Sequence, residues 1–181
     1  MKDSELQFYL NQDVQSHKII RPSVFCAQEF VLKHGKAYQK KKLPKWITQG
    51  EKKQCFFNAA ILASSKNLIY VEGFAMLPDI AGTIHHAWCV KKGSDAVIDP
   101  TSSNLVEYFG IPFKSEAADE VLDKCNPILT VNKTEDEIEA LISRSFRIYS
   151  ILFALHRSDF WFLPAFCSSL LWCFFTFNIK I

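Results

Sequence analysis

The chain has 181 residues, of which 49% are hydrophobic and 16 are Phe, and its formal net charge is +2. This length favours one domain, and such a chain buries roughly 70% of the surface that it exposes when unfolded. Neither disulfides nor a structural metal is therefore needed for a stable core. The small net charge argues against a nucleic-acid partner, since nucleic-acid-binding proteins concentrate basic residues on one face.

The cysteines predict free thiols in a reducing compartment. They are Cys26, Cys55, Cys89, Cys125, Cys167 and Cys173. The first residues lack the basic-then-apolar pattern of a secretory signal, so we expect a cytoplasmic protein. The sequence has no Cys-x-x-Cys pair, and its His residues do not fall at zinc-ligand spacing. We therefore predict no metal site and no cofactor.

The first third of the chain predicts helices followed by a basic connector. Apolar residues between Leu6 and Val14 have a weak helical period. Pro22-Ser23 predicts the start of a second helix that ends at Gly35. Five lysines then occur between residues 36 and 45. We interpret them as an exposed connector, with binding to an acidic partner or a membrane surface as the alternative.

The middle of the chain predicts one helix and three strands. Cys55 opens an apolar run with helical spacing that continues through Leu62. Residues 68–76 and 84–91 are rich in β-branched and aromatic side chains, which favour strands. Residues 96–99 predict a third strand, and Gly93 indicates a tight hairpin before it.

The last third predicts a helical turn and an extended piece over 105–113, and then a helix over 115–125. Thr134-x-x-Glu137 is a capping box that opens an amphipathic helix. Together these elements predict an α+β domain over residues 1–150, in which a helix packs on a small antiparallel sheet.

Residues 151–181 predict a hydrophobic C-terminal tail. No charged residue occurs between Phe160 and Ile179, and about 20 apolar residues are enough to span a bilayer. One interpretation is a membrane anchor over 160–179. The other is a buried helix or an irregular tail that packs on the domain.

One Cys, one His and one Asp occur in an order that suits nucleophilic catalysis. Cys55 is predicted at a helix N-terminus, where the helix dipole favours a thiolate. His86 and Trp88 share one face of a strand because side chains alternate there, and His85 faces the other way. A two-residue loop at 92–93 places Asp99 opposite His86. A loop at 93–94 places Asp99 opposite Trp88 and diagonal to His86.

These residues carry a resemblance to a known superfamily. Cys55-Phe56, then His86-Ala87-Trp88, then Val97-Ile98-Asp99-Pro100-Thr101 resembles the transglutaminase-like core in its smaller bacterial members. Gln49 stands six residues before Cys55, which is similar to the oxyanion glutamine of papain-like peptidases. The resemblance implies a papain-like or transglutaminase-like fold with a Cys-His-Asp triad, and covers about a third of the chain.

The expected function is thiol-dependent hydrolysis of an amide bond in a protein or peptide substrate. Cys55 would attack the carbonyl, His86 would move the proton, and Asp99 would orient His86. Gln49 is the first candidate for oxyanion binding and Gln54 is the second. Trp88 is expected to shield the His-Asp pair from water. Transglutaminase-type or deamidase-type acyl transfer is one alternative, and an inactive binding module on the same fold is another.

Overall fold

The computed structural model describes residues 4–130 and 132–143 of the chain. These residues form five helices and one antiparallel sheet of four strands. The elements are α1 Glu5–Ile20, α2 Ala27–His34, β1 Lys36–Tyr38, α3 Cys55–Lys66, β2 Ile69–Met76, β3 Ile84–Val90, β4 Glu107–Pro112, α4 Ser115–Lys124 and α5 Glu135–Leu141. The α+β class predicted from the sequence is therefore confirmed.

The sheet has the strand order β1-β4-β2-β3, with every neighbouring pair antiparallel. Successive side chains of a strand point to opposite faces, so each strand contributes to two cores. Strand β2 is central and is buried from Tyr70 to Met76. The sequence of this strand is an apolar run because both faces of the strand are buried.

Helix α3 packs on one face of the sheet through small side chains. Ala59, Ala60 and Ala63 are buried at the spacing that the sequence predicted. Small residues let the helix approach the strands closely, and the Cys89 thiol reaches the Ala59 carbonyl at 3.1 Å. The helix ends at Asn67, whose backbone is left-handed. This packing sets the position of the α3 N-terminus, where Cys55 lies.

The opposite face of the sheet is built around Trp88, which is fully buried. Its ring lies over β4, where Gly110 leaves room for it. Gly110 pairs with Gly73 of β2, and a Cβ at Gly73 would lie 2.4 Å from the Gly110 Cα. Because neither glycine has a side chain, β2 and β4 can lie close together and the Trp88 indole can lie close to β4.

We expect Gly110→Ala to lower the free energy of unfolding by about 1–3 kcal/mol, the usual cost of overpacking a core. The added Cβ would lie 2.7 Å from the Glu72 carbonyl oxygen and 2.7 Å from a Trp88 ring carbon. Urea unfolding measures the change. An unchanged midpoint and slope would contradict this packing.

The start of the chain departs from the predicted pattern. Helix α1 is firmly formed despite its weak period, because Ser4 and Gln7 make a capping box and Leu6, Leu10 and Val14 are buried. The second helix begins at Ala27 rather than at Pro22-Ser23, so the prediction placed its start too early.

Two other predictions about strands need correction. Residues 36–38 form β1, an edge strand that the sequence analysis interpreted as part of the basic connector. Residues 105–113 hold no helical turn: β4 occupies 107–112 and pairs with β2. Non-local pairing decides both cases, and no local pattern reveals it.

The described residues belong to a compact unit that spans Met1–Arg147. Within the described ranges, no helix is both long enough and apolar enough to cross a membrane. The predicted tail over 151–181, including the candidate anchor at 160–179, lies outside the described residues.

Candidate active site

Cys55 is the first residue of α3 and is half-buried. Gln54 precedes it as the N-cap, but the Gln54 side chain caps no backbone group of the helix. The first intrahelical bond runs from the Asn58 N–H to the Gln54 carbonyl. Earlier N–H groups of a helix have no intrahelical acceptor and carry the positive end of its dipole. The thiol thus lies where an anion is stabilised.

His86 joins the thiol to a carboxylate. Its Nε2 lies 2.7 Å from Asp99 Oδ2, and both side chains are buried. The Cys55 thiol lies beside the same ring, close enough to raise the pKa of His86. Because Nε2 bonds to Asp99, Nδ1 is the ring nitrogen left for the sulfur. The structure therefore brings the three predicted residues together in the order Cys55, His86, Asp99.

The surroundings of His86 favour its protonated form. Burial lowers the pKa of His86, but the hydrogen bonds and negative charges of Asp99 and Cys55 outweigh burial and raise this pKa from 6.5 to about 9. At neutral pH the ring therefore holds a proton on each nitrogen. An imidazolium beside a sulfur favours the thiolate, which is the nucleophilic form.

The raised pKa of His86 links folding to pH. Between pH 6.5 and about 9 the folded chain keeps a proton that the unfolded chain releases, so stability from this group falls as pH rises through that window. We expect the free energy of unfolding to fall more steeply there in the native chain than in His86→Gln. Urea titrations across the window measure both slopes, and equal slopes would contradict the shift.

Asp99 accepts four hydrogen bonds, which fix its orientation. Oδ1 accepts from the backbone N–H groups of Thr101 and Ser102 at 2.8 and 3.0 Å. Oδ2 accepts from His86 and, at 3.1 Å, from the Tyr108 hydroxyl. Burial and the negative charge of Asp99 raise the pKa of Tyr108, so its hydroxyl remains a donor. The sequence analysis did not place Tyr108 in the site.

The strand register is that of the second predicted hairpin, although the turn itself lies at 92–93, as in the first. Cys89 and Ile98 exchange both backbone hydrogen bonds, so Asp99 lies across from Trp88 and diagonal to His86. Residues 96–99 make only isolated bridges rather than the predicted strand. Asp99 therefore comes directly after Ile98, the residue of this segment that pairs with β3.

The loop before Cys55 is tied to the segment that follows Asp99. The Gly50 N–H donates to the Pro100 carbonyl at 2.7 Å. Asn58 donates to the Thr101 hydroxyl at 2.9 Å and to the Glu51 carbonyl at 2.7 Å. A Cβ at Gly50 would lie 2.5 Å from the Asn58 side chain. Asn58 therefore holds the nucleophile loop against the Asp99 segment.

The remaining predicted site residues lie in different places. Gln49 lines the cavity that contains Cys55, and its amide donates to the Thr101 carbonyl at 3.1 Å. Gln54 faces another cavity and donates to Glu51. Trp88 is fully buried, with its ring stacked 6.3 Å from the His86 ring. Trp88 therefore lies beside the buried His86 ring, and the expectation that it shields the His-Asp pair from water stays a prediction.

Cys55 and His86 open into a cavity of about 680 Å³. Its wall combines apolar, hydroxyl and basic side chains: Gln49, Lys52, Lys53, Cys55, Phe56, Leu77, Ile84, His85, His86, Thr101, Ser102, Ser103, Asn104 and Leu105. A volume of about 300–1,000 Å³ is usual for a ligand site. The thiol is thus accessible to a molecule of substrate size.

A second histidine pairs with a second carboxylate on the other face of β3. His85 Nε2 lies 2.9 Å from Glu72 Oε1, and Glu72 is fully buried. Glu72 also accepts from Tyr70 and from the N–H groups of Ile128 and Leu129, at 2.8–2.9 Å. Glu72 therefore joins β2 and β3 to the segment after α4.

In comparisons with protein-family models, curated proteins and solved structures, nothing matches this chain. Among the described residues, no group of three or more His, Cys, Asp or Glu side chains is arranged to hold a metal ion. Function must be inferred from the geometry around Cys55.

Proposed function

We propose that this protein is a thiol-dependent amide hydrolase, a cysteine peptidase or amidase, on a papain-like or transglutaminase-like core. One observation carries the proposal: His86 is bonded to Asp99 and lies beside Cys55 at an open cavity. The placement of Cys55 at the start of a helix that packs on an antiparallel sheet supports this kind of core. A structural cysteine would need neither an oriented imidazole nor a cavity.

The reaction begins from a thiolate and an imidazolium. The Cys55 sulfur attacks the substrate carbonyl carbon, and the carbonyl oxygen becomes an oxyanion. As this intermediate collapses, the C–N bond breaks and His86 gives its Nδ1 proton to the leaving amine. Water then attacks the thioester while neutral His86 takes a proton from it. Breaking the C–S bond releases the acid and restores the thiolate and imidazolium.

Asp99 and Tyr108 act through His86 rather than on the substrate. Asp99 keeps the ring oriented and stabilises its charged form, as the carboxylate does in other triads. The Tyr108 hydroxyl and two backbone N–H groups hold Asp99 in place.

The oxyanion is stabilised by donors near the α3 N-terminus. The Cys55 backbone N–H belongs to the first helical turn, and Gln49 lines the same cavity. Gln49 has a second amide hydrogen besides the one that it donates to Thr101. Removal of one such donor usually costs about 10²–10³-fold in turnover. Gln49 is preferred to Gln54, whose side chain faces a different cavity.

Acylation by p-nitrophenyl acetate tests this function without a known substrate. We expect a burst of nitrophenolate equal to the enzyme concentration and an acetyl group on Cys55, located by peptide mass spectrometry. Cys55→Ala should abolish the burst, and Cys125→Ala, which removes an exposed thiol, should leave it intact. Equal acetylation of Cys55 and Cys125 would contradict the proposal and favour a binding module.

The fate of the acetyl group separates hydrolysis from acyl transfer. A hydrolase releases acetate even when a primary amine is added. A transglutaminase-type enzyme instead yields the acetylated amine as its main product. We expect acetate to predominate, and a dominant amide product would contradict hydrolysis.

A further inference from the structure

A second cavity adjoins the one that contains Cys55. Its volume is about 540 Å³, and its wall includes Lys40, Lys41, Lys42, Gln49, Ser102 and Ser103. Gln49, Ser102 and Ser103 line both cavities. The two cavities therefore adjoin along these three residues. We call the pair the basic groove, with the thiol in one half and Lys40, Lys41 and Lys42 in the other.

The charges of the basic groove are strongly one-sided. Lys52, Lys53 and protonated His86 line its thiol half, where the described residues contribute no Asp or Glu. Asp99 is the one carboxylate among the described residues of the lysine half. Four internal donors already occupy its oxygens, including the imidazole of His86.

Five lysines line the basic groove and are available to a ligand: Lys40, Lys41, Lys42, Lys52 and Lys53. They are exposed, and none takes part in a salt bridge with a described acidic residue. Glu51 lies next to Lys52 in sequence, but it accepts from Gln54 and lines neither cavity. A concave surface lined by one sign of charge raises the local concentration of oppositely charged molecules.

The shape of the groove selects among anionic molecules. An extended chain can follow two joined cavities, whereas a membrane surface does not enter a depression. Nucleic acid offers no amide bond at the position of the thiol. Phe56, Leu77 and Ile84 add apolar wall in the thiol half, which suits peptide side chains.

We propose that the substrate is an acidic polypeptide segment whose carboxylates bind the lysines of the basic groove while its reacting amide lies at Cys55. This inference rests on the proposed hydrolase function for the chemistry and adds the charge of the substrate. Lys40, Lys41 and Lys42, which were interpreted as part of a connector, become part of the binding surface.

Paired alkylating reagents test the groove directly. Iodoacetate is anionic and iodoacetamide is neutral, and both react with the same thiolate. We expect the ratio of their rate constants at Cys55 to exceed the ratio at Cys125 by about threefold or more, as attraction by several nearby positive charges requires. The advantage should shrink at high ionic strength.

A matched pair of variants assigns the effect to the groove. The triple variant K40Q/K41Q/K42Q should lower the Cys55 iodoacetate rate and leave the iodoacetamide rate unchanged. The control K66Q/K91Q/K92Q removes the same charge from lysines that line neither cavity, and it should change neither rate. A loss of equal size in both variants would overturn the proposal, because it would reflect net charge alone.

Peptide protection identifies the occupant. A Glu-rich peptide should slow iodoacetamide labelling of Cys55 at low salt, and its Gln-for-Glu counterpart should not. Equal protection by both peptides, or protection only by single-stranded DNA or anionic vesicles, would overturn the proposal. Fast iodoacetamide labelling without any preference for iodoacetate would leave the hydrolase standing and remove this substrate class, so the two proposals fail separately.

Discussion

Iodoacetamide should alkylate Cys55 at pH 6 at least about ten times faster than Cys125, since an ordinary thiol is well under about 1% ionised there. The raised pKa of His86 keeps its ring protonated at pH 6, and an imidazolium beside a sulfur favours the nucleophilic form of the thiol. A stabilised thiolate is also a weaker nucleophile. We therefore expect the ratio of the two labelling rates to be smaller than the ratio of the two thiolate fractions. Peptide mass spectrometry follows each cysteine separately.

The control for this experiment lies next to His86 on the same strand. His86→Gln keeps a hydrogen-bond donor but removes the titratable proton, so the fast labelling at pH 6 should be lost. His85→Gln changes a ring that pairs with Glu72 on the other face of β3, and it should retain fast labelling. Equal losses in both variants would contradict an ion pair specific to Cys55 and His86.

Glu72→Ala should lower the free energy of unfolding by about 3–5 kcal/mol, since three buried donors lose their acceptor at about 1–3 kcal/mol each. The carboxylate is fully buried and accepts four hydrogen bonds. Without it, the Tyr70 hydroxyl and the N–H groups of Ile128 and Leu129 lose their acceptor in the core. Each unsatisfied buried donor is expensive. Urea unfolding with an unchanged m-value measures the loss.

Glu72→Gln is the matched variant, because it preserves shape and one acceptor oxygen. The new amide nitrogen would be a donor that faces other donors in the core. We therefore expect Glu72→Gln to lower the free energy of unfolding measurably, but by less than Glu72→Ala does. A loss below about 1 kcal/mol in Glu72→Ala would contradict the role of Glu72 as the acceptor that joins these segments.

The sequence could group Cys55, His86 and Asp99 because the first two lie on locally recognisable elements. Cys55 opens a helix with clear apolar spacing, and His86 lies in a strand rich in β-formers. The position of Asp99 depended on the hairpin loop, and the sequence was compatible with two registers. The structure adopts the one in which Asp99 is diagonal to His86.

Other parts of the site depend on contacts between distant segments, which local patterns do not encode. Tyr108 reaches Asp99 from β4, which the sequence analysis treated partly as a helical turn. Strand β1 has only three residues, too few for a visible alternation. The lysine run becomes part of a groove only when the segments around Gln49 and Ser102 meet.

An NMR titration of the His86 imidazole, in the native chain and in Cys55→Ala, tests the central claim most directly. If the ring is shared between Asp99 and Cys55, it remains doubly protonated at neutral pH and titrates with a pKa of about 9, lower once the sulfur is removed. A pKa near the ordinary 6.5 that is the same in both proteins would contradict the ion pair and the chemistry proposed from it.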